Sequence, residues 1–228
     1  MNTLMQPFYT FHHELTSLRK KLMQVSTMVE ERVRAATSVI ASRDEELIQK
    51  ILLTDYEIDD MEVEIEEDCL RILALHQPVA SDLRLIVTVI KVNNEIERIG
   101  DMAVSIALRV KTISACTRES SANGKGWMYD YSRMSEKVIT MLKMSLDALV
   151  NHDAQMARQV FLLDDEVDAM LKDAYDKVTA RLDRHPEHPG CLIDIYLLAR
   201  HLERIGDRST NIAEDVIHLV EGIFIRGQ

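Results

Sequence analysis

Glycine is almost missing from this chain, with 7 in 228 residues and none between Met1 and Ile99. Proline is scarcer still at 4, and aromatic residues make up only 5%. A fold of many short strands needs a turn signal roughly every 8–12 residues, so an all-β architecture is excluded. Cysteine is sparse too. Cys69, Cys116 and Cys191 are odd in number and lack C-x-x-C spacing, which argues against a zinc site or disulfide framework and fits a reducing compartment. No long apolar run exists. Leu85–Ile90, interrupted by Thr88, falls far short of the roughly 20 residues a membrane helix needs, so no membrane insertion is expected. The first thirteen residues hold no Lys or Arg, unlike the charged start of a secretion signal, which leads us to expect a soluble, intracellular chain. Positive charge is also short. Lys and Arg number 27 against 38 Asp and Glu, a net charge of −11, and nucleic-acid binding requires the opposite balance.

Catalytic signatures are absent as well. The sequence has no Gly-rich phosphate loop, no G-x-S-x-G and no Glu-x-x-His pair; Asp215-x-x-His218 is the nearest approach.

What remains is a chain 46% hydrophobic and 29% charged, the balance of long amphipathic helices. Residues 12–75 read as two long helices meeting near Ser42–Asp44, where Ser42 or Asp44 is placed to cap the second. A turn over Gln77–Asp82 precedes a third helix to about Ser114, with Ser81 as its expected cap. Ile96, Ile99, Ala103, Ile106 and Val110 form its apolar stripe. Residues 117–127, the Ser/Gly-rich TRESSANGKGW, read as a linker.

The second half restarts the pattern. Asp55–Met61 aligns with Asp164–Met170 at an offset of 109, and Arg43–Asp44 falls on His152–Asp153 at the same offset. Farther on, Glu97–Arg98–Ile99–Gly100–Asp101 recurs letter for letter as Glu203–Arg204–Ile205–Gly206–Asp207. The expected fold is all-α: two tandem, internally repeated three-helix bundles of six long helices, over 1–116 and 128–228, joined by 117–127.

Carboxylates follow the repeat. Glu97/Asp101 and Glu203/Asp207 stand at i, i+4, turned away from their helices' apolar stripes, while Asp55/Asp59 and Asp164/Asp168 stand on a flank. Like charges at this spacing cost roughly 0.2–0.5 kcal/mol per pair. Two readings fit: an outward, solvated acidic face, or a face whose repulsion a cation offsets. Carboxylate oxygens from adjacent helices suit Mg²⁺, Ca²⁺ or Mn²⁺, with iron and zinc beyond them. Gly100 and Gly206 each cost their helix about 1 kcal/mol relative to Ala. Close helix packing explains that register better than ligand access, although both readings account for it.

These motifs resemble those of the PhoU family of phosphate-transport regulators. The doubled Glu-Arg-Ile-Gly-Asp carries the likeness, together with Pro78–Val79–Ala80–Ser81–Asp82–Leu83–Arg84, close to the family's Pro-x-Ala-x-Asp-Leu-Arg. Copy two departs at His188–Pro189–Gly190–Cys191, which lacks the Ser-Asp-Leu-Arg run. The resemblance covers residues 12–222 and implies a cytoplasmic, non-catalytic homodimer. Such a protein signals phosphate sufficiency between the ATPase subunit of a phosphate ABC transporter and a sensor histidine kinase. It further implies divalent or trivalent metal ions (Mg, Mn, Fe or Zn) at Asp55, Asp59, Glu97 and Asp101, and at Asp164, Asp168, Glu203 and Asp207. A metal-dependent hydrolase using the same carboxylates and a purely structural helical scaffold are the alternatives.

Overall fold

The computed structural model describes residues 5–119, 129–184 and 189–223. Its helices are α1 (Met5–Ser42), α2 (Glu45–Leu53), α3 (Tyr56–His76), α4 (Ala80–Glu119), α5 (Ser132–Asn151), α6 (Ala154–Leu182) and α7 (Pro189–Glu221). α1 to α4 form the first repeat and α5 to α7 the second, as two all-helical units in tandem.

The helix ends repeat between the two halves at one sequence offset. α1 stops at Arg43 and α5 at His152, both left-handed, with φ of 53° and 52°. One residue on, Asp44 and Asp153 cap the next helices. Asp44 accepts from the Glu46 and Leu47 N–H groups at 2.9 and 3.1 Å, and Asp153 from those of Gln155 and Met156 at 2.9 Å each. A side-chain oxygen satisfying the free amides of a first turn contributes about 1 kcal/mol.

Three sequence expectations need adjusting. The second long helix is split at Thr54–Asp55 into α2 and α3, whereas its counterpart α6 runs unbroken through Leu163–Asp164. Buried Arg32 accounts for the split, because its guanidinium donates to the Thr54 carbonyl and, at 3.2 Å, to the Asp55 carbonyl. The position of Arg32 plus 109 is Met141, which offers no donor, so the α6 ladder continues. Ser81 lies inside the first turn of α4 instead of ahead of it. The chain turns at Ala80 (φ 49°) and the Asp82 N–H closes the turn on the Val79 carbonyl at 3.2 Å. Residues 117–119, expected to open a linker, belong to the end of α4, and 120–127 lie outside the described residues.

The α4 stripe of Ile96, Ile99, Ala103, Ile106 and Val110 is buried to within 1% exposure, as its spacing predicts. The core is one body across both repeats, since α4 and α7 pack against each other. Cross-seam pairs show that they run antiparallel: Lys91–Asp215 at 2.8 Å, Glu95–Arg208 at 3.2 Å and Arg109–Asp194 at 2.6 Å. No described helix is long and apolar enough to cross a membrane.

Candidate metal centres

Each repeat brings carboxylates from two helices to one corner. In the first, one oxygen each from Asp55, Asp59 and Asp101 lies within 4.8 Å of the others. In the second the same holds for Asp168, Glu203 and Asp207. The structure thus gathers six of the eight expected acids into two triads. Glu97 stands beside the first, close enough to feel the charges of Asp101 and Asp59, and Asp164 stands beside the second, near Asp168 and Asp207.

The outward orientation expected for these acids holds only in part. Glu97 and Glu203 are half-buried, because the neighbouring helix comes close enough to cover them, and Asp164, expected on a flank, is half-buried as that position allows. The two motif glycines make that approach possible. A Cβ on Gly100 would sit 3.3 Å from Ile58 Cδ1, and one on Gly206 would sit 3.4 Å from Met141 Cε and 3.6 Å from Asp164 Oδ1. Close packing therefore occupies both positions, with the Asp164 carboxylate itself lying over Gly206.

Electrostatics separates the corners. In the first, burial and then the Asp59 charge lift Asp55 above the usual carboxylate range. Arg32, 3.3 Å from Asp55 Oδ1, pulls in the opposite direction. Burial and Asp59 likewise raise Asp101, and burial with Asp101 raises Glu97. In the second corner, burial first and Asp168 next push Asp164 up to about 6. Burial and Asp207 push Glu203 up to about 7, against a distant Arg200 at 4.0 Å. Asp164 Oδ1 and Glu203 Oε2 are buried with no hydrogen-bond partner among the described residues. Buried carboxylate oxygens without a donor are costly, and an all-oxygen set of this kind suits a hard cation.

Arg32 was not legible as a site residue. Its signal was an arginine within the buried spacing of α1, beside Val29, Val33 and Ala36. Asn211, which continues the α7 acidic row in sequence, points elsewhere and donates to Glu95 Oε2 across the α4–α7 seam at 3.3 Å.

The PhoU domain model matches this chain twice, over residues 22–110 and 131–216. A phosphate-specific transport system accessory protein PhoU homolog from Pseudomonas aeruginosa is 36% identical over 216 residues, covering 95% of this chain and 87% of that one. The crystal structure of PhoU from Pseudomonas aeruginosa superposes with a TM-score of 0.85 at 36% identity, over 93% of this chain and 100% of that one. The phosphate transport system regulatory protein PhoU from Streptococcus pneumoniae superposes with a TM-score of 0.81 at 26% identity, over 95% and 99% respectively. With both repeats matched and the fold shared from end to end, the chain belongs to the PhoU family.

Proposed function

We propose that this chain is a non-catalytic regulator of phosphate uptake and of the phosphate-starvation response. In this reading it acts in the cytoplasm as an adaptor between the ATPase subunit of a phosphate ABC transporter and a sensor histidine kinase. The observation that carries the reading is the near full-length likeness to relatives named as phosphate transport accessory and regulatory proteins. Cation binding completes the proposal. Asp55, Asp59 and Asp101, with Glu97 beside them, would hold one ion, and Asp168, Glu203 and Asp207, with Asp164, the other. A bound magnesium, manganese, iron or zinc ion supplies positive charge that cancels the mutual repulsion of its carboxylates. The residues do the positioning: Arg32 fixes the turn that presents Asp55, and Gly206 admits the Asp164 carboxylate to the surface of α7.

The test is affinity capture on the immobilised full chain from cells grown in high and in low phosphate, together with deletion of its gene. The transporter ATPase and the kinase should be retained in a phosphate-dependent ratio, and deletion should leave the starvation response switched on. If neither protein is retained and deletion leaves the phosphate response intact, the adaptor reading fails.

A further inference from the structure

α3 carries two apolar stripes on opposite faces. Ile58, Ile65, Cys69 and Ile72 face the core and are no more than 1% exposed. On the far side Tyr56, Val63 and Leu70 stand seven residues apart and are 59%, 52% and 55% exposed. Seven-residue spacing keeps side chains in one row along a helix, and it is the repeat of a coiled-coil seam. Acids fill the places between: Asp59 and Asp60 in the first heptad, Glu66 and Glu67 in the second. All four are exposed, and none of them has an ion pair among those resolved in the described residues. Along its 21 residues α3 holds eight acids and one arginine.

The second repeat shows that the helical scaffold does not require this row. At the offset of 109, Tyr56, Val63 and Leu70 become Asp165, Lys172 and Thr179, an ordinary solvated face. The α6 positions matching α3 also include Lys172, Lys177 and Arg181, so the charge there is mixed. An exposed apolar row costs solubility, and three apolar side chains in register on one helix call for an occupant.

From this face we infer that α3 is a docking surface for a basic amphipathic helix of another protein. That helix would set an apolar residue every seventh position against Tyr56, Val63 and Leu70. It would set Lys or Arg against Asp59, Asp60, Glu66 and Glu67. A second copy of this chain does not fit, because pairing two such faces would bring eight carboxylates together, and like charges across a helix pair are destabilising. The inference stands on the α3 face alone and does not require the carboxylate corners to hold a cation.

The test uses the full chain with a chelator present and a fluorescently labelled 21-residue helical peptide. The peptide carries leucine at every seventh position and lysine at the flanking positions. A scrambled peptide of identical composition is the control. Fluorescence anisotropy should show the patterned peptide binding at least tenfold more tightly than the scrambled one. Tyr56→Asp/Val63→Lys/Leu70→Thr, which installs the residues of the second repeat, should weaken binding at least tenfold with the helical circular dichroism unchanged. Val63→Ala/Leu70→Ala, which keeps helix propensity, should weaken it severalfold. Equal affinity of the wild type and both variants, or of the two peptides, overturns the inference. So does a wild-type dimer in sedimentation that the triple substitution dissolves, because the face would then belong to a second copy.

Discussion

The two carboxylate corners share a register but not a neighbour. In the first, Arg32 reaches the turn from α1, satisfies the carbonyls of Thr54 and Asp55, and sits 3.3 Å from the Asp55 carboxylate. In the second, the position 109 residues on is Met141, which packs on Gly206 and gives Asp164 nothing to pair with. One corner therefore has a helix break and a partly neutralised acid. The other has a continuous helix and two carboxyls pushed into the range of about 6 to 7. A duplicated scaffold can keep its four acidic positions while burial, and at Asp55 the neighbouring Arg32 as well, sets how strongly each carboxyl resists ionisation.

The largest effect expected from breaking this contrast comes from Arg32→Met, which gives the first corner the residue of the second. It strands the carbonyls that the guanidinium now satisfies and should cost on the order of 2–4 kcal/mol in urea unfolding. A loss below about 0.5 kcal/mol would mean that the break at Thr54–Asp55 stands without Arg32.

Next comes the pH dependence of the metal-free protein. Glu203 and Asp164 bind protons more tightly in the folded state than their ordinary values allow. Their stabilising contribution is complete below the unfolded carboxylate range and is lost as pH rises through about 6 and 7. Thermal stability without metal should therefore fall between about pH 4 and 7 and level off above that. Glu203→Gln should flatten that fall and stabilise the protein at the upper end by about 1–3 kcal/mol, a rise of several degrees in Tm. Glu97→Gln should act in the same direction and less strongly, since Glu97 is less deeply buried than Glu203 and Arg98 pulls its carboxyl down. Equal gains from the two substitutions would erase the distinction between the corners.

The smallest effect separates the motif glycines. Alanine improves helix propensity by about 1 kcal/mol at either site. At Gly206 a methyl meets the flexible thioether end of buried Met141 at 3.4 Å, whereas at Gly100 it presses the stiffer, β-branched Ile58 at 3.3 Å. Gly206→Ala should thus be the more stabilising of the two by a few tenths of a kcal/mol in chemical denaturation, and the reverse order would contradict this packing.

Much of the fold was open to a reader of the sequence, because it rests on periodicity and caps. The buried stripe of α4, the Asp44 cap and the repeat offsets are written as residue types at fixed spacing, and local chemistry enforces them. The same spacing placed all eight acids, and six of them meet as triads. What stayed hidden depends on residues distant in sequence. The break at Thr54–Asp55 is set from 22 and 23 residues away by Arg32, and nothing in the α2–α3 segment announces it. The partial burial of Glu97 and Glu203 arises from how closely the helices approach at Gly100 and Gly206. A helical wheel of a single helix does not contain that distance.

Calorimetric titration of Mn²⁺ tests most directly whether the two corners are built for cations, using wild type, Asp101→Ala, Asp207→Ala and the double variant at about pH 6 and pH 8. Wild type should show two sites, each single substitution should remove one, and the double variant should bind at neither. The site lost in Asp207→Ala should be the one that strengthens more as pH rises, because Glu203 and Asp164 must give up protons before an ion enters. Equal Mn²⁺ affinity in wild type and the double variant would contradict the cation reading and leave the triads as solvated acidic faces.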